Sequence, residues 1–430
     1  MEAQELLTKE QKHSVAILSI GTFLEYFDLL LYVHMAVLLN DLFFSKTDSF
    51  SASLLSSFSF CAAFVFRPIG ALLIGWLGDS IGRKSTVIVT SMVMAGSCIA
   101  MANLPTYDQI GISASIAVTL CRVLQGMSSM GEVIGAEIYL TETIRPPKVY
   151  SAIGFILIAL TLGGSAALAV ANLSLAHSLS WRSAFWIGAI VAVIGMFSRK
   201  CLRETPDFVD AKRQMVTMGK DFRASREGMF DKPWVKQKIN KKTAASFFLM
   251  QLPAPVYFYF IYIHCSGILK NQFNYDIQSI IQHNLSVSIT ELVAITIVTY
   301  LVSFIHPLKI LRAKYYFALP SLLICPFLLN YISSSAELMM IQVFLTVSVP
   351  IEFPASPIFY KSFPIFKRFT AVCFSYAMSR ALMHVISSFG IIYLVKYFDN
   401  LGLLFVFIPI MLGYGFGLFH FVKLEDNTEK

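Results

Sequence analysis

A short polar turn between two long apolar stretches constrains the fold of this chain most strongly. Residues 53–74 before it and 86–104 after it are long and apolar enough to cross a bilayer as helices. Two spanning helices with so short a link must form a hairpin, and the basic residues of the link favour the cytoplasmic face. The link itself reads Gly75-Trp76-Leu77-Gly78-Asp79-Ser80-Ile81-Gly82-Arg83-Lys84.

The composition agrees with a membrane protein. Of 430 residues, 56% are hydrophobic and only 14% are charged, and the mean hydropathy is +0.66. A soluble protein would carry roughly 25% charged residues. We therefore expect an all-α membrane protein with twelve transmembrane helices, which we place near 15–40, 53–77, 86–104, 110–136, 151–176, 183–199, 244–268, 285–305, 315–332, 337–357, 370–395 and 402–422.

The positive charge is distributed unevenly between the two faces of this topology. With both termini in the cytoplasm, the outer loops hold only Lys46, Arg182, Lys270 and Lys396. This bias fixes the orientation of the chain and accounts for the net charge of +8 without a nucleic-acid partner. We also expect, as a secondary role, that the basic loops attract anionic lipid. The first apolar stretch predicts an uncleaved anchor rather than a signal peptide.

Other functional classes find no support in the sequence. The seven cysteines are scattered without a C-x-x-C pair, which predicts small apolar residues rather than a disulfide or metal framework. No H-E-x-x-H, G-x-S-x-G or P-loop string occurs, so we do not expect an enzyme. No cofactor is expected beyond a proton as coupling ion.

One long polar stretch divides the chain. Residues 200–243 are rich in Lys and Arg and separate six predicted helices from six. We expect an N-terminal six-helix bundle over 1–199, a basic cytoplasmic linker over 200–243 and a C-terminal six-helix bundle over 244–430.

Several segments carry a family resemblance. The turn resembles the G-x-L-x-D-x-x-G-R-K loop of major facilitator transporters. Five further segments resemble motifs of the metabolite:proton symporter branch of that superfamily: Gly21 to Asp28, Phe64 to Gly70, Arg122 to Gly126 with Gly131-Glu132 and Gly135-Ala136, Arg203 to Phe208, and Phe363-Pro364 with Arg368-Phe369-Thr370 and Tyr376. The proline/betaine carriers are the nearest named type within the branch.

The resemblance implies two six-helix bundles around a midplane cavity and uptake of a small polar metabolite with protons. This chain departs from the family in its second half. The helix-eleven pattern Y-N…G-G-x-x-P is replaced by a segment that holds Arg380 and His384. The second-half counterpart of the turn, His306 to Lys314, keeps its bases but has lost the Asp and the glycines.

Charged residues at membrane depth mark candidate sites, because each costs about 2.5–3.5 kcal/mol on insertion scales. Glu25 and Asp28 share one helix face. Two neighbouring acids disfavour joint ionisation, which suits a proton-coupling pair. A structural ion pair with a base on another helix is the alternative. We assign Arg122 and Glu132 to the same proton-coupling group.

Two arginines lie deep in their predicted helices. Arg67 and Arg122 either grip an anionic substrate or close a salt bridge with an acid from the set Glu25, Asp28 and Glu132. Gln125 adds an amide next to Arg122. We place Arg67 and Gln125 among the substrate-binding candidates.

The second half contributes three more substrate-binding candidates. Arg380 and His384 stand one above the other at i, i+4, and both are suited to a substrate carboxylate. Pairing with Glu291 or Glu352 is the alternative. Glu352 lies in a Pro-rich segment that predicts a broken helix, where it either lines a site or caps freed backbone. Glu291 has no assigned role.

Asp79, Arg83 and Lys84 form the candidate cytoplasmic gate. In the family, this loop holds the two halves together on the cytoplasmic side in one state and releases them in the other.

The favoured function is proton-coupled uptake of proline, betaine or a small carboxylate by alternating access. An uncoupled facilitator or exchanger and a non-transporting membrane sensor are the alternatives. The expected setting is a monomer in the bilayer of a bacterial inner membrane, without a nucleic-acid partner.

Overall fold

The computed structural model shows a helical bundle protein. It describes residues 7–35, 39, 42–44, 63–176, 181–199 and 238–428, and no strand occurs among them. Most of the predicted linker, residues 200–237, and the first part of the predicted second helix lie outside the described residues.

We number the main helices α1 to α12. The first six are α1 (Lys9–His34), α2 (Arg67–Ser80), α3 (Arg83–Asn103), α4 (Ile112–Thr143), α5 (Lys148–Ala176) and α6 (Trp181–Arg199). Uninterrupted helices in the second half are α8 (Ile277–Leu301), α9 (Pro307–Leu329) and α12 (Leu404–Thr428).

The other three helices are interrupted. We count as α7 the run Lys241–Met250, Pro253–Phe258, a π-helical turn over Tyr259–His264, and Cys265–Asn271. Helix α10 comprises Ser335–Ser348 and Ser356–Lys361, and α11 comprises Ile365–Val385, a π-helical turn over Ile386–Ile391, and Ile392–Phe398. The break predicted for helix ten is confirmed. Proline cannot donate to a carbonyl one turn back, so Pro350 and Pro354 are compatible with a gap and not with a continuous helix.

Local capping explains where several helices begin. Thr8 and Gln11 form a reciprocal capping box at the start of α1. Asn240 accepts a hydrogen bond from the amide of Lys242 at the start of α7. Pro307 occupies the first turn of α9, where its missing N–H is not needed.

Helix packing separates two bundles. In the first, α1 packs on α4, α5 and α6, and α3 packs on α4 and α6. In the second, α7 packs on α12, α8 on α10, and α9 on α10 and α12. Across the divide, α2 packs on α11 and α5 packs on α8. These two pairs are related by a shift of six helices, as an internal repeat of six helices requires.

The outer surface is apolar, as a protein in lipid requires. Within the part of the chain that the structure describes, six stretches are long and apolar enough to span a membrane: Lys9–His34, Lys84–Asn103, Lys148–Leu173, Lys241–Asn271, Ile277–Leu301 and Ile365–Asn427. Trp76 and Phe317 are 65% and 68% exposed, whereas Asp28 is 1% exposed. Apolar side chains outside and charged side chains inside invert the pattern of a soluble protein.

Several helices differ from the sequence-based boundaries, among them α8, which begins at Ile277 rather than at 285. Helix α4 extends to Thr143, beyond the predicted end at 136, and α9 begins at Pro307 rather than at 315. Glu137, Glu142 and Lys314 therefore lie within helices.

Candidate functional site

The ionisable candidates from the membrane-embedded helices are enclosed by the protein. Among the described residues, seven of them are at most 9% exposed: Glu25, Asp28, Arg67, Arg122, Glu137, Arg380 and His384. None faces the acyl chains, so the polar residues form an interior system. They fall into two groups, one within the N-terminal bundle and one at the junction of the bundles.

The first group is a chain of hydrogen bonds between α1 and α4. Nε2 of Gln125 donates to Oδ2 of Asp28 at 2.5 Å, and Nη1 of Arg122 donates to Oε1 of Gln125 at 3.1 Å. The guanidinium of Arg122 lies 4.1 Å from the ring centroid of Tyr32. The amide of Gln125 thus stands between the base and the acid, where the sequence had suggested a direct salt bridge.

This group lies inside the N-terminal bundle. Asp28, Gln125 and Arg122 do not line the cavity between the bundles that is described below. The Cys98 thiol of α3 is a neighbour of Asp28, and Gly188 of α6 faces the Oδ1 atom of Asp28. Glu25, one turn earlier on α1, is also buried. The side chain of Glu132 lies outside the described residues, so its proposed role in proton coupling stays a prediction. The structure brings Asp28 and Arg122 together with Gln125, which we had assigned to substrate binding.

A cavity of about 200 Å³ lies at the junction of the two bundles. Its walls come from α1, α4 and α5 on one side and from α7 to α11 on the other. The aromatic lining residues are Tyr26, Tyr257, Phe258, Tyr262, Phe353 and Tyr376, and the charged ones are Glu137, Glu291, Glu352, Lys314 and Arg380. An aromatic wall with a few convergent charges is typical of a site for a small polar molecule.

Arg380 projects into this cavity from α11 and is held from two directions. Its Nη1 donates to Oε1 of Gln251 at 2.8 Å, and its guanidinium stacks 3.5 Å from the ring centroid of Tyr376. Glu352, from the break in α10, lines the same cavity and acts electrostatically on Arg380 without an ion pair between them. Nη1 also lies 3.4 Å from the hydroxyl of Ser379, and the guanidinium borders the cavity, where its N–H groups can donate to a ligand.

Arg67 and His384 lie next to this group, at the contact of α2 with α11. The ring of Phe64 lies 3.8 Å from that of His384 and 4.7 Å from the guanidinium of Arg67. Arg67 and Arg380 both exert a positive potential at His384. Nε and Nη2 of Arg67 have no hydrogen-bond partner within the described part of the chain. Three of the predicted substrate-binding residues thus share one region of positive potential.

A small extension of about 50 Å³ continues the cavity along α1 to its last residue, His34. The 81–84 turn and the loops at 144–147 and 362–364 lie on one face of the bundles. Helix α1 begins on the same face, since Gln11 donates to the carbonyl of Thr143. We call this face the turn side. The extension therefore leads away from the turn side.

On the turn side, polar contacts close the junction. Oδ2 of Asp79 accepts hydrogen bonds from the backbone N–H of Thr370 at 3.0 Å and from its hydroxyl at 2.6 Å. Nη1 of Arg368 lies 3.0 Å from Oε1 of Glu142. Asp79 and Glu142 belong to the first bundle, whereas Thr370 and Arg368 belong to the second. Lys84 lies in the first turn of α3, and the side chain of Arg83 lies outside the described residues.

The sequence did not predict two of the contacts around the cavity. Oη of Tyr360 donates to Oε2 of Glu137 at 2.5 Å, from the second bundle to the first. Oη of Tyr262 donates to Oε2 of Glu291 at 2.8 Å, and Lys314 faces the same carboxylate. From the sequence, Glu137 had been given no partner, and Glu291 had been named only as an alternative partner of Arg380 and His384. Lys314 had been placed in a loop, although Pro307 could have indicated an earlier helix start.

The structure thus places one polar group inside the first bundle and a polar cavity at the junction of the two bundles. The contacts between Asp79 and Thr370 and between Glu142 and Arg368 join the bundles on the turn side.

Comparison with known proteins supports this architecture. The family model described as the Major Facilitator Superfamily matches residues 18–364. This chain belongs to the Major Facilitator Superfamily. The match covers residues of both bundles. It includes the polar residues described above except those of α11, which begins at Ile365. The predicted superfamily and fold class are therefore confirmed.

Curated members of the superfamily match the chain over a shorter region. A protein of Staphylococcus aureus (strain COL) named "Putative proline/betaine transporter" is 35% identical over 209 residues, or 46% of this chain and 45% of the relative. "Inner membrane metabolite transport protein YhjE" of Escherichia coli (strain K12) is 33% identical over 228 residues, or 49% of this chain and 51% of the relative. The matches thus span about half the length of these relatives.

Solved structures of the superfamily share the fold over nearly the whole chain. The proton:xylose symporter XylE bound to 6-bromo-6-deoxy-D-glucose has a TM-score of 0.76 at 14% identity and covers 96% of this chain and 95% of its own. The human organic anion transporter MFSD10 has a TM-score of 0.68 at 15% identity, with coverage of 96% and 99%. At these identities the likeness shows the fold alone.

Proposed function

We propose that this protein is a secondary transporter that carries a small polar metabolite through the junction of its two bundles, driven by a proton gradient. The observation that carries the proposal is the enclosed polar centre. Charged side chains line a cavity between two bundles that are joined on the turn side, and the cavity continues towards the other side. Rocking of the bundles about this centre would expose it to each side in turn.

The chemistry of the cavity favours a small zwitterion or a small carboxylate as substrate. The guanidinium fork of Arg380 matches a carboxylate, and Arg67 adds positive potential nearby. Glu352 and the aromatic rings can hold a cationic group, because the face of an aromatic ring attracts cations. The name of the Staphylococcus aureus relative supports proline and betaine as the first compounds to test.

Asp28 is the proposed proton site. A neutral carboxyl group is a weaker acceptor than a carboxylate, so protonation would weaken the bond from Gln125. Asp28 faces the bundle interior while Tyr26, two residues earlier on α1, lines the cavity. A shift of α1 upon protonation would therefore reach the substrate cavity directly.

The proposed setting is a bacterial inner membrane with the turn side in the cytoplasm. The asymmetry of Lys and Arg along the sequence supports this orientation. The name of the Escherichia coli relative supports the location.

Uptake into proteoliposomes tests the proposal. Purified protein is reconstituted, a pH gradient (acid outside) is imposed, and the accumulation of radiolabelled proline, glycine betaine and small dicarboxylates is measured. We expect at least one compound to accumulate above its external concentration, and a protonophore to abolish the accumulation. Equilibration that is insensitive to the protonophore would indicate an uncoupled facilitator, and binding without flux would indicate a sensor.

A further inference from the structure

One buried carboxylate connects the central cavity with the closed turn side, and no role had been assigned to it. Glu137 of α4 is 4% exposed and lines the cavity. Its Oε2 atom accepts the hydrogen bond from Tyr360, which belongs to the short second segment of α10. The same side chain thus faces the proposed substrate space and joins the two bundles.

The phenol of Tyr360 is fixed in place by its own bundle. Tyr360 is fully buried, and Phe247 of α7 packs against it edge to face, with the ring centroids 5.9 Å apart. The hydroxyl cannot follow Glu137 when the bundles separate on the turn side. Opening of that side therefore requires the bond to break.

The strength of this bond depends on the charge of Glu137. A carboxylate accepts a hydrogen bond from a phenol more strongly than a neutral carboxyl group does. The charged and titratable groups that face Glu137 are Tyr360 and Glu352 of α10 and Arg380 of α11, with Ser356 beside them. Glu352 adds a second negative charge at the cavity, so a proton or a cationic substrate group is attracted to this pair.

We propose that Glu137 is a coupling residue that senses the contents of the cavity: loss of its negative charge releases Tyr360 and allows the turn side to open. The inference rests on the proposed transport function. It assigns to Glu137 a step distinct from the proton binding proposed for Asp28. Asp28 lies within one bundle, whereas Glu137 bridges two.

Distance measurements between the bundles test this role without the need for a substrate. Spin labels are attached through a non-canonical amino acid at positions 145 and 309, two exposed positions on the turn side of the first and second bundle. The native cysteines stay in place. Pulsed electron–electron double resonance spectroscopy then measures the distribution of distances between the two labels, which gives the ratio of open to closed populations. Loss of a hydrogen bond to a charged acceptor should change this ratio by about tenfold or more.

We expect both Glu137→Gln and Tyr360→Phe to increase the open population. The matched control is Tyr414→Phe. Tyr414 is also fully buried, but its hydroxyl donates to the carbonyl of Ile351 within the second bundle. The control should keep the wild-type distances. Unchanged distances in both Glu137→Gln and Tyr360→Phe would overturn the proposal.

A pH series separates a sensing role from a structural one. In an Asp28→Asn background, acidification from about pH 8 to pH 5 should still increase the open population, and Glu137→Gln should abolish this response. Persistence of the response in Glu137→Gln would overturn the sensing role. Because these readouts measure conformation, they can fail while transport is demonstrated, and they can succeed where uptake is absent.

Discussion

The carboxylate of Asp79 accepts two hydrogen bonds from Thr370, one from the backbone N–H and one from the hydroxyl. Asp79 stands at the end of α2 and Thr370 in the first turns of α11, so these bonds join the two bundles. The bundle junction around them is tightly packed. The outward rotation of either bundle on the turn side would separate these two residues.

Asp79→Ala should lower the maximal rate of transport more than it changes substrate affinity. Two bonds to a charged acceptor contribute about 1.5–3 kcal/mol each, so their loss destabilises the closed state of the turn side. We expect a fall in the maximal uptake rate on the order of tenfold, with little change in the half-saturation constant. Initial rates in proteoliposomes measure both quantities.

Ser362→Ala is a suitable control for this experiment. The hydroxyl of Ser362 donates to the carbonyl of Ile358 in its own helix and does not join the bundles. It should leave both constants unchanged. A wild-type maximal rate in Asp79→Ala would contradict the role of Asp79 as a gate.

Gly75→Ala should loosen the same junction by steric conflict. A Cβ atom at this position would lie 2.8 Å from the Cα of Thr370, where no flexible side chain can move aside. Overpacking of this kind typically costs about 1–3 kcal/mol. We expect a lower melting temperature in detergent and a larger open population on the turn side.

Gly96→Ala provides the matched comparison, since a Cβ atom there would meet no atom within 4 Å. Alanine has the higher helix propensity, so this variant should be as stable as the wild type or slightly more stable. Equal melting temperatures for Gly75→Ala and Gly96→Ala would show that the close approach of α2 to α11 is not needed.

The membrane fold and part of the proton site were predictable from the sequence. Apolar length and the placement of basic residues indicated the spans, and the i, i+3 spacing placed Glu25 and Asp28 on one face of the first helix. Asp28 and Arg122 do belong to one group. The insertion of Gln125 between them was not predictable, because it depends on the distance between α1 and α4.

Contacts between the bundles could not be predicted from the sequence either, because they too depend on how distant helices pack. The predicted fourth helix ended at 136, whereas α4 includes Glu137 and Glu142 and ends at Thr143. The helix continues because Tyr360 and Arg368 of the other bundle satisfy these carboxylates. Partners that are more than 200 residues away in sequence leave no local signal.

Arg380→Ala should selectively weaken the transport of substrates that carry a carboxylate. The lost interaction between a guanidinium and a carboxylate is worth about 1.5–3 kcal/mol, which corresponds to a rise of roughly 10- to 150-fold in the half-saturation constant. Arg380→Lys should restore only part of the affinity, because an ammonium group lacks the planar fork. Competition between labelled substrate and carboxylate and neutral analogues measures the effect.

Arg182→Ala tests whether this effect is specific to the cavity. Arg182 donates to the carbonyl of Leu104 and stacks on Trp181, and it does not line the cavity. We expect no selectivity change in this variant. Unaltered half-saturation constants for every carboxylate substrate in Arg380→Ala would remove Arg380 from the substrate site.

Proton-driven accumulation by Asp28→Asn is the most direct test of the account. The asparagine keeps the size of the side chain but cannot take up and release a proton, so accumulation against a gradient should be lost while counterflow of substrate continues. Glu10→Gln, which changes an exposed carboxylate on the same helix, should accumulate substrate as the wild type does. If Asp28→Asn accumulated substrate to the wild-type level under the same pH gradient, Asp28 would not be the proton site, and coupling through the Asp28–Gln125–Arg122 chain would be contradicted.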